Sequence, residues 1–154
     1  MMLPGTGGAI VGAALFGAVW SIAYCCTSGF HSFTFEPRGP GSFEARLATY
    51  TKIAETVIGL ASGSVVLLAG SSILRGGSGG HLPWYYASPL VLLGLSVVYG
   101  VCFIGLLAYF YEMFLHHPNS YTRAKYSLIQ AFGFSTLLSF SSAYVWLALT
   151  VANQ

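Results

Sequence analysis

In the stretch YEMFLHHPNSYTRAKY, residues 111 to 126, a carboxylate and two imidazoles crowd together as Glu112, His116 and His117. Residues four apart share a helix face, so Glu112 and His116 project together if the helix before Pro118 runs that far. Carboxylate and imidazole are metal ligands, which makes these three the chain's weak candidates for a metal. They fall short of a coordination set. A carboxylate-bridged di-iron bundle takes Glu-x-x-His from each of two helices together with further glutamates, and this sequence offers one Glu-x-x-x-His. Haem held by two histidines would need them within apolar segments, and His31 and His81 fall in loops. No metal and no other cofactor is expected.

A second place where chemistry is conceivable is Glu55. It lies about one turn inside an apolar segment, with Lys52 three residues earlier on the same face. An ionised carboxylate there is expensive unless paired, so the position reads either as a boundary ion pair with Lys52 or as a proton, cation or ligand site. The hydroxyls of Ser135, Ser139 and Ser142 follow one face of another segment, and in an oligomer such a stripe could line a pore. Nucleophilic triads, paired catalytic carboxylates and phosphate-cradling loops are missing; GSGG at 77–80 has neither the strand nor the lysine of a P-loop. An enzyme is the less favoured class.

The elements that must position these residues follow from composition. Only 6% of the 154 residues are charged and 55% are hydrophobic, with mean hydropathy +0.71. A soluble domain draws about a quarter of its residues from Asp, Glu, Lys and Arg, so this chain cannot wrap itself in a polar surface and its main solvent is expected to be lipid. A net charge of +2 without a basic stripe excludes nucleic acid as a partner. Cys25, Cys26 and Cys102 are too few for a disulfide framework or a zinc site; adjacent Cys25 and Cys26 at the end of an apolar segment are candidates for acylation.

Crossing roughly 30 Å of hydrocarbon takes about 20 residues of helix. Four stretches are long enough, roughly 8–26, 53–74, 86–111 and 126–150. In hydrocarbon every backbone group needs an internal partner, so all four are expected as helices. Aromatic residues mark their ends: Trp84, Tyr85 and Tyr86 open the third, Tyr109 and Tyr111 close it, and Tyr126 and Trp146 bracket the fourth. Ser42 is a suitable N-cap for a second helix starting at Phe43 and running on to Leu74. Loop one, with Phe30, Phe33 and Phe35 alternating with polar residues between helix breakers, suits an extended or hairpin segment, and the glycine-rich run 76–80 a short outer tether.

The charges then divide unevenly. Loops one and three with their helix edges carry Glu36, Arg38, Glu44, Arg46, Lys52, Glu55, Glu112, Arg123 and Lys125, while Arg75 stands alone on the other side. By the positive-inside rule, loops one and three face the cytosol. The expected fold class is therefore all-α, a single-domain (1–154) integral membrane four-helix bundle with both termini on the non-cytosolic side; which membrane is not specified. Small residues at helix-packing spacing, Gly8 with Gly12 and Gly59 with Gly63, favour close helix contact, expected mainly inside the bundle.

The start of the second helix, EARLATYTKIAET, with Arg46, Lys52 and Glu55, distantly resembles the charged start of helix two in the membrane-associated eicosanoid and glutathione metabolism family. The likeness covers about a dozen residues, and the family's asparagine and Arg-to-Glu spacing are absent from it. It implies, as an alternative, a lipid- or glutathione-handling membrane enzyme. The leading expectation is an accessory or structural subunit, or a self-assembling membrane component, with a charged cytosolic edge formed by Arg46, Lys52, Glu55, Glu112, His116 and Arg123. Its expected partners are the bilayer and either further copies or a larger membrane complex. A channel or proton-coupled transporter using Glu55 is the other alternative.

Overall fold

The computed structural model describes residues 5–29, 43–70, 84–117 and 121–152. Loop one with Glu36, Arg38 and the Ser42 cap, the segment 71–83 with the glycine tether and Arg75, and the side chains of Glu44, Arg46, Trp84 and Tyr85 lie outside that description. The described residues are all-helical: α1 (Thr6–Cys26) with a 3-10 turn at Thr27–Gly29, α2 (Phe43–Gly70), α3 (Trp84–His116) and α4 (Arg123–Ala152). Each helix is long and apolar enough to cross a membrane, over Thr6–Gly29, Ala48–Leu68, Tyr86–His116 and Arg123–Ala152.

The arrangement is built on a central antiparallel pair. α3 and α4 pack along their length, α1 lies in the groove on one side of that pair, α2 lies on the other, and α1 and α2 share no substantial contact. Two apolar clusters divide the length. At one end Ala54 packs with Phe103, Leu107, Phe110, Phe114, Tyr121 and Ile129; at the other Ala61, Leu92, Leu93 and Ala143 meet Val11, Val65 and Trp146.

For helices apolar enough to cross a membrane, cohesion is a question of approach distance, because side chains as apolar as lipid would gain little by burial from it. Along α4, Ser127, Ala131, Ser135, Ser139 and Ala143 recur every fourth residue and are all 0% exposed. This ladder of small side chains lets neighbouring helices close in. The Ser135 and Ser139 hydroxyls have no hydrogen-bond partner among the described residues. They sit between helices of a single chain, so their small volume explains the placement. Ser142 is half-buried beside them.

Glycine does the same for α1. A Cβ on Gly8 would run into the Ser88 backbone carbonyl of α3, and one on Gly12 into the Leu95 side chain. Hydrogen bonds then tie the helix pairs: Ser96 Oγ donates to the Thr136 carbonyl at 2.8 Å, Tyr99 OH to the Gly12 carbonyl at 3.2 Å, and Ser64 Oγ bonds the Tyr144 hydroxyl. A three-ring cluster of Phe16, Tyr99 and Phe132 joins α1, α3 and α4, with centroids 4.8–6.0 Å apart. Pro89 lacks the N–H that would bond the Tyr85 carbonyl, yet it is fully buried early in α3, beside the Gly8–Ser88 contact.

The second glycine pair behaves differently. A Cβ on Gly59 or Gly63 would meet nothing within 4 Å, so of the two small-residue pairs only Gly8 and Gly12 pack inside the chain. Gly8→Ala should therefore destabilise the single chain by about 1–3 kcal/mol, because backbone has to move. Gly59→Ala, at an open position in the helix interior, should leave the single chain unchanged or up to about 1 kcal/mol more stable. Thermal unfolding in dilute detergent compares the two, and equal losses would contradict this packing.

Candidate functional site

At about 100° per residue, the buried positions of α2, among them Ala54, Val57 and Ala61, lie on one side of the helix. Lys52, Gly59, Gly63 and Gly70 lie diametrically opposite, and all four are exposed. Thr56 and Val66 flank this stripe on either side, with Glu55 at its edge and also exposed. The face is therefore a shallow glycine-floored groove with a cation and a carboxylate at one end. Glu55 stands seven residues inside the apolar span that begins at Ala48, roughly 10 Å of helix. The Thr56 hydroxyl turns back on its own helix, donating to the Lys52 carbonyl at 2.8 Å, so it offers the groove little.

Glu112, His116 and His117 are exposed at the far end of α3. The helix does continue through His116, which puts Glu112 and His116 one turn apart on one face. Among the described residues no group of three or more His, Cys, Asp or Glu side chains gathers where a metal could sit. The apolar cluster around Ala54, Phe110 and Phe114 brings the first half of α2 and the last turns of α3 to the same end of the molecule. Lys52, Glu55, Glu112 and His116 thus share an end, and the backbone of Arg46 is placed there too.

Arg123 is engaged inside the chain. It opens α4, where a positive charge is unfavourable for its own helix dipole, but it lies against the C-terminal end of antiparallel α1, where the dipole favours a cation. Its guanidinium stacks 4.0 Å from the Tyr24 ring centroid, donates from NH2 to the Tyr24 carbonyl, and donates from Nε to Thr27 Oγ1 at 3.3 Å. Thr27 is itself buried and gives its proton to the Ala23 carbonyl at 2.8 Å. With that proton used, the 3.3 Å contact to Ser127 has the Ser127 hydroxyl as donor. Tyr24, Thr27, Arg123 and Ser127 form a latch between the first and last helices. Spacing in the sequence gave no sign of it, since the partners are almost a hundred residues apart. Lys125 likewise turns inward, 3.1 Å from Met113 Sδ and 5.7 Å from the Phe110 ring centroid. Cys25 and Cys26 are free and exposed beside the latch, while Cys102 is half-buried.

Tyr121 precedes α4 and is buried against Phe110 and Tyr126. Burial, and secondarily the neighbouring Tyr126, push its phenol above the ordinary range, so it stays protonated at any physiological pH.

No family model, curated protein or solved structure matches the chain. Function must therefore be argued from the residues.

Two expectations follow. Arg123→Lys keeps the charge but loses the planar fork and the stack, and should lower the thermal midpoint by an amount equivalent to roughly 1 kcal/mol; an unchanged midpoint would show the latch to be idle. Because the folded-state pKa of Tyr121 is raised, its contribution is complete below the unfolded phenol value of about 10 and is lost as pH climbs past it. Stability should fall in strong alkali, and Tyr121→Phe should flatten part of that fall in a pH series of denaturation curves.

Proposed function

We propose that the chain is an integral membrane protein whose work is assembly: a small self-associating component, with loops one and three and the charged helix ends on the cytosolic side and both termini opposite. The observation that carries this reading is the outer face of α2. Gly59 and Gly63 floor a groove that nothing among the described residues fills, and Glu55 stands in the same apolar segment, exposed.

A second copy fits that face better than lipid alone. Small-xxx-small pairs let two backbones approach closely, and an isologous two-fold pair sets residue i of one copy against residue j of the other, and j against i. Lys52 lies on the central stripe and Glu55 at its edge, so the rotation brings Lys52 of each copy toward Glu55 of the other. A carboxylate that is costly against lipid then gains a partner. The remaining exposed groups at that end, Glu112 and His116, are free to contact a soluble or membrane partner; Arg123 is committed to α1 and is withdrawn from that role.

The test is subunit counting in bilayers, by single-molecule photobleaching across a dilution series. Wild type should show pairs. Gly59→Ile with Gly63→Ile should weaken pairing by roughly tenfold or more, the scale of 1–2 kcal/mol of helix association. Lys52→Glu should weaken it too, and adding Glu55→Lys should restore it. Identical subunit distributions in all four proteins would overturn the proposal.

A further inference from the structure

A cavity of about 260 Å³ lies between α2 on one side and the α3/α4 pair on the other, near the end that carries the α3 C-terminus. Its floor is Phe103 and Leu107 of α3 with Ile129 and Gly133 of α4. A Cβ on Gly133 would come to 3.0 Å from the Phe103 ring, so glycine lets that ring lie close against α4. Ile53, Phe134 and Leu137 border it and are 46%, 55% and 39% exposed, so it opens sideways, toward whatever surrounds the helices.

Apart from Thr136, the polar side chains of the lining gather at one end. Gln130 donates through Nε2 to the Tyr126 hydroxyl at 3.0 Å, and Tyr50 and Tyr121 border the same end. The Gln130 carbonyl oxygen accepts no hydrogen bond among the described residues. Apart from Thr136, the lining beyond is apolar, reaching Gly133 and Leu137 one to two turns further along α4. Among the described residues, no Asp, Glu, Lys, Arg or His side chain lines the cavity.

We infer that this cavity binds a neutral single-chain lipid with a hydroxyl-bearing end, such as a monoacylglycerol or a long-chain alcohol, its hydroxyl on Gln130 and Tyr126 and its chain toward Gly133 and Leu137. Three features select that class. A charged headgroup would enter a low-dielectric pocket with no counter-charge, at a desolvation cost nothing repays. The volume, about 260 Å³, lies just under the roughly 300–1,000 Å³ of pockets that take drug-sized ligands, which suits the polar end and first part of one chain, with the remainder continuing through the lateral opening. The direction also matches a bilayer, with the hydrogen-bonding end toward the helix termini and the apolar end toward the middle.

The inference rests on the membrane-spanning reading but not on self-association. The experiment uses the full chain in nanodiscs with three photoreactive probes of equal chain length: a monoacylglycerol, a fatty acid and a lysophosphatidylcholine. The monoacylglycerol should label peptides around Tyr50–Ala54 and Gln130–Leu137 about tenfold more than either charged probe, the scale of one well-placed polar contact. Gln130→Leu, which keeps volume and removes the amide, should abolish that preference. Leu137→Trp at the exposed rim should reduce labelling by all three, and both variants should retain the wild-type thermal midpoint. Equal labelling by neutral and charged probes, or a preference that survives Gln130→Leu, would overturn the site. Release of the chain from membranes by alkaline carbonate would instead overturn the membrane reading itself, so the two failures are told apart.

Discussion

Everything in this fold depends on how closely helix backbones can approach where no hydrophobic force drives them together. On the proposed membrane-spanning reading, exchange of lipid for aliphatic side chains is nearly neutral, so dispersion and hydrogen bonds acting at short range supply the cohesion. The chain meets that demand with absent or minimal side chains at the seams. Gly8 and Gly12 admit α1 to α3, and the α4 ladder from Ser127 to Ala143 is fully buried. The interhelical bonds of Ser96, Tyr99 and Ser64 become possible because the backbones are already near. The unpartnered hydroxyls of Ser135 and Ser139 are consistent with this order of priorities, since bulk at those positions would cost more than an unmade hydrogen bond.

The same constraint makes the outer face of α2 informative. Glycine in a helix interior costs roughly 1 kcal/mol relative to alanine, and a lipid-facing position gives nothing back. A Cβ on Gly59 or Gly63 would meet nothing within 4 Å among the described residues, in contrast to Gly8, which is pressed against Ser88. A groove of that kind next to an intramembrane carboxylate is the geometry that a second helix would complete. The cavity on the other side of α2 is a separate matter: its described lining is mostly apolar at one end, polar at the other, and carries no charged side chain.

Helix number and class were legible in the amino-acid sequence because they depend on bulk composition and segment length, which one chain displays directly. Phe43 as the start of α2 was legible too, from the helix breakers and Ser42 before it. Which small residues pack inward was not. Gly8–Gly12 and Gly59–Gly63 have identical spacing, and only the neighbours brought in by the fold distinguish them. Arg123 read as one more charge at the water boundary. Its role depends on Tyr24 and Thr27, at a sequence separation no local pattern spans. Ser135 and Ser139 read as a hydroxyl stripe available to a pore, whereas four-residue spacing with Ala131 and Ala143 makes them part of a packing seam. In each case residue type and helix face were readable, and the partner was not.

The central claim is that α2 presents its glycine stripe away from its own chain and toward a second copy. The direct measurement is disulfide trapping in native membranes, scanning single cysteines along residues 52–70 after Cys25, Cys26 and Cys102 have been replaced. Cross-linking should rise and fall with helical period, peaking at positions 59 and 63 and vanishing at 57 and 61 on the buried side. Uniform cross-linking around the helix, or a maximum at 57 and 61, would contradict the account.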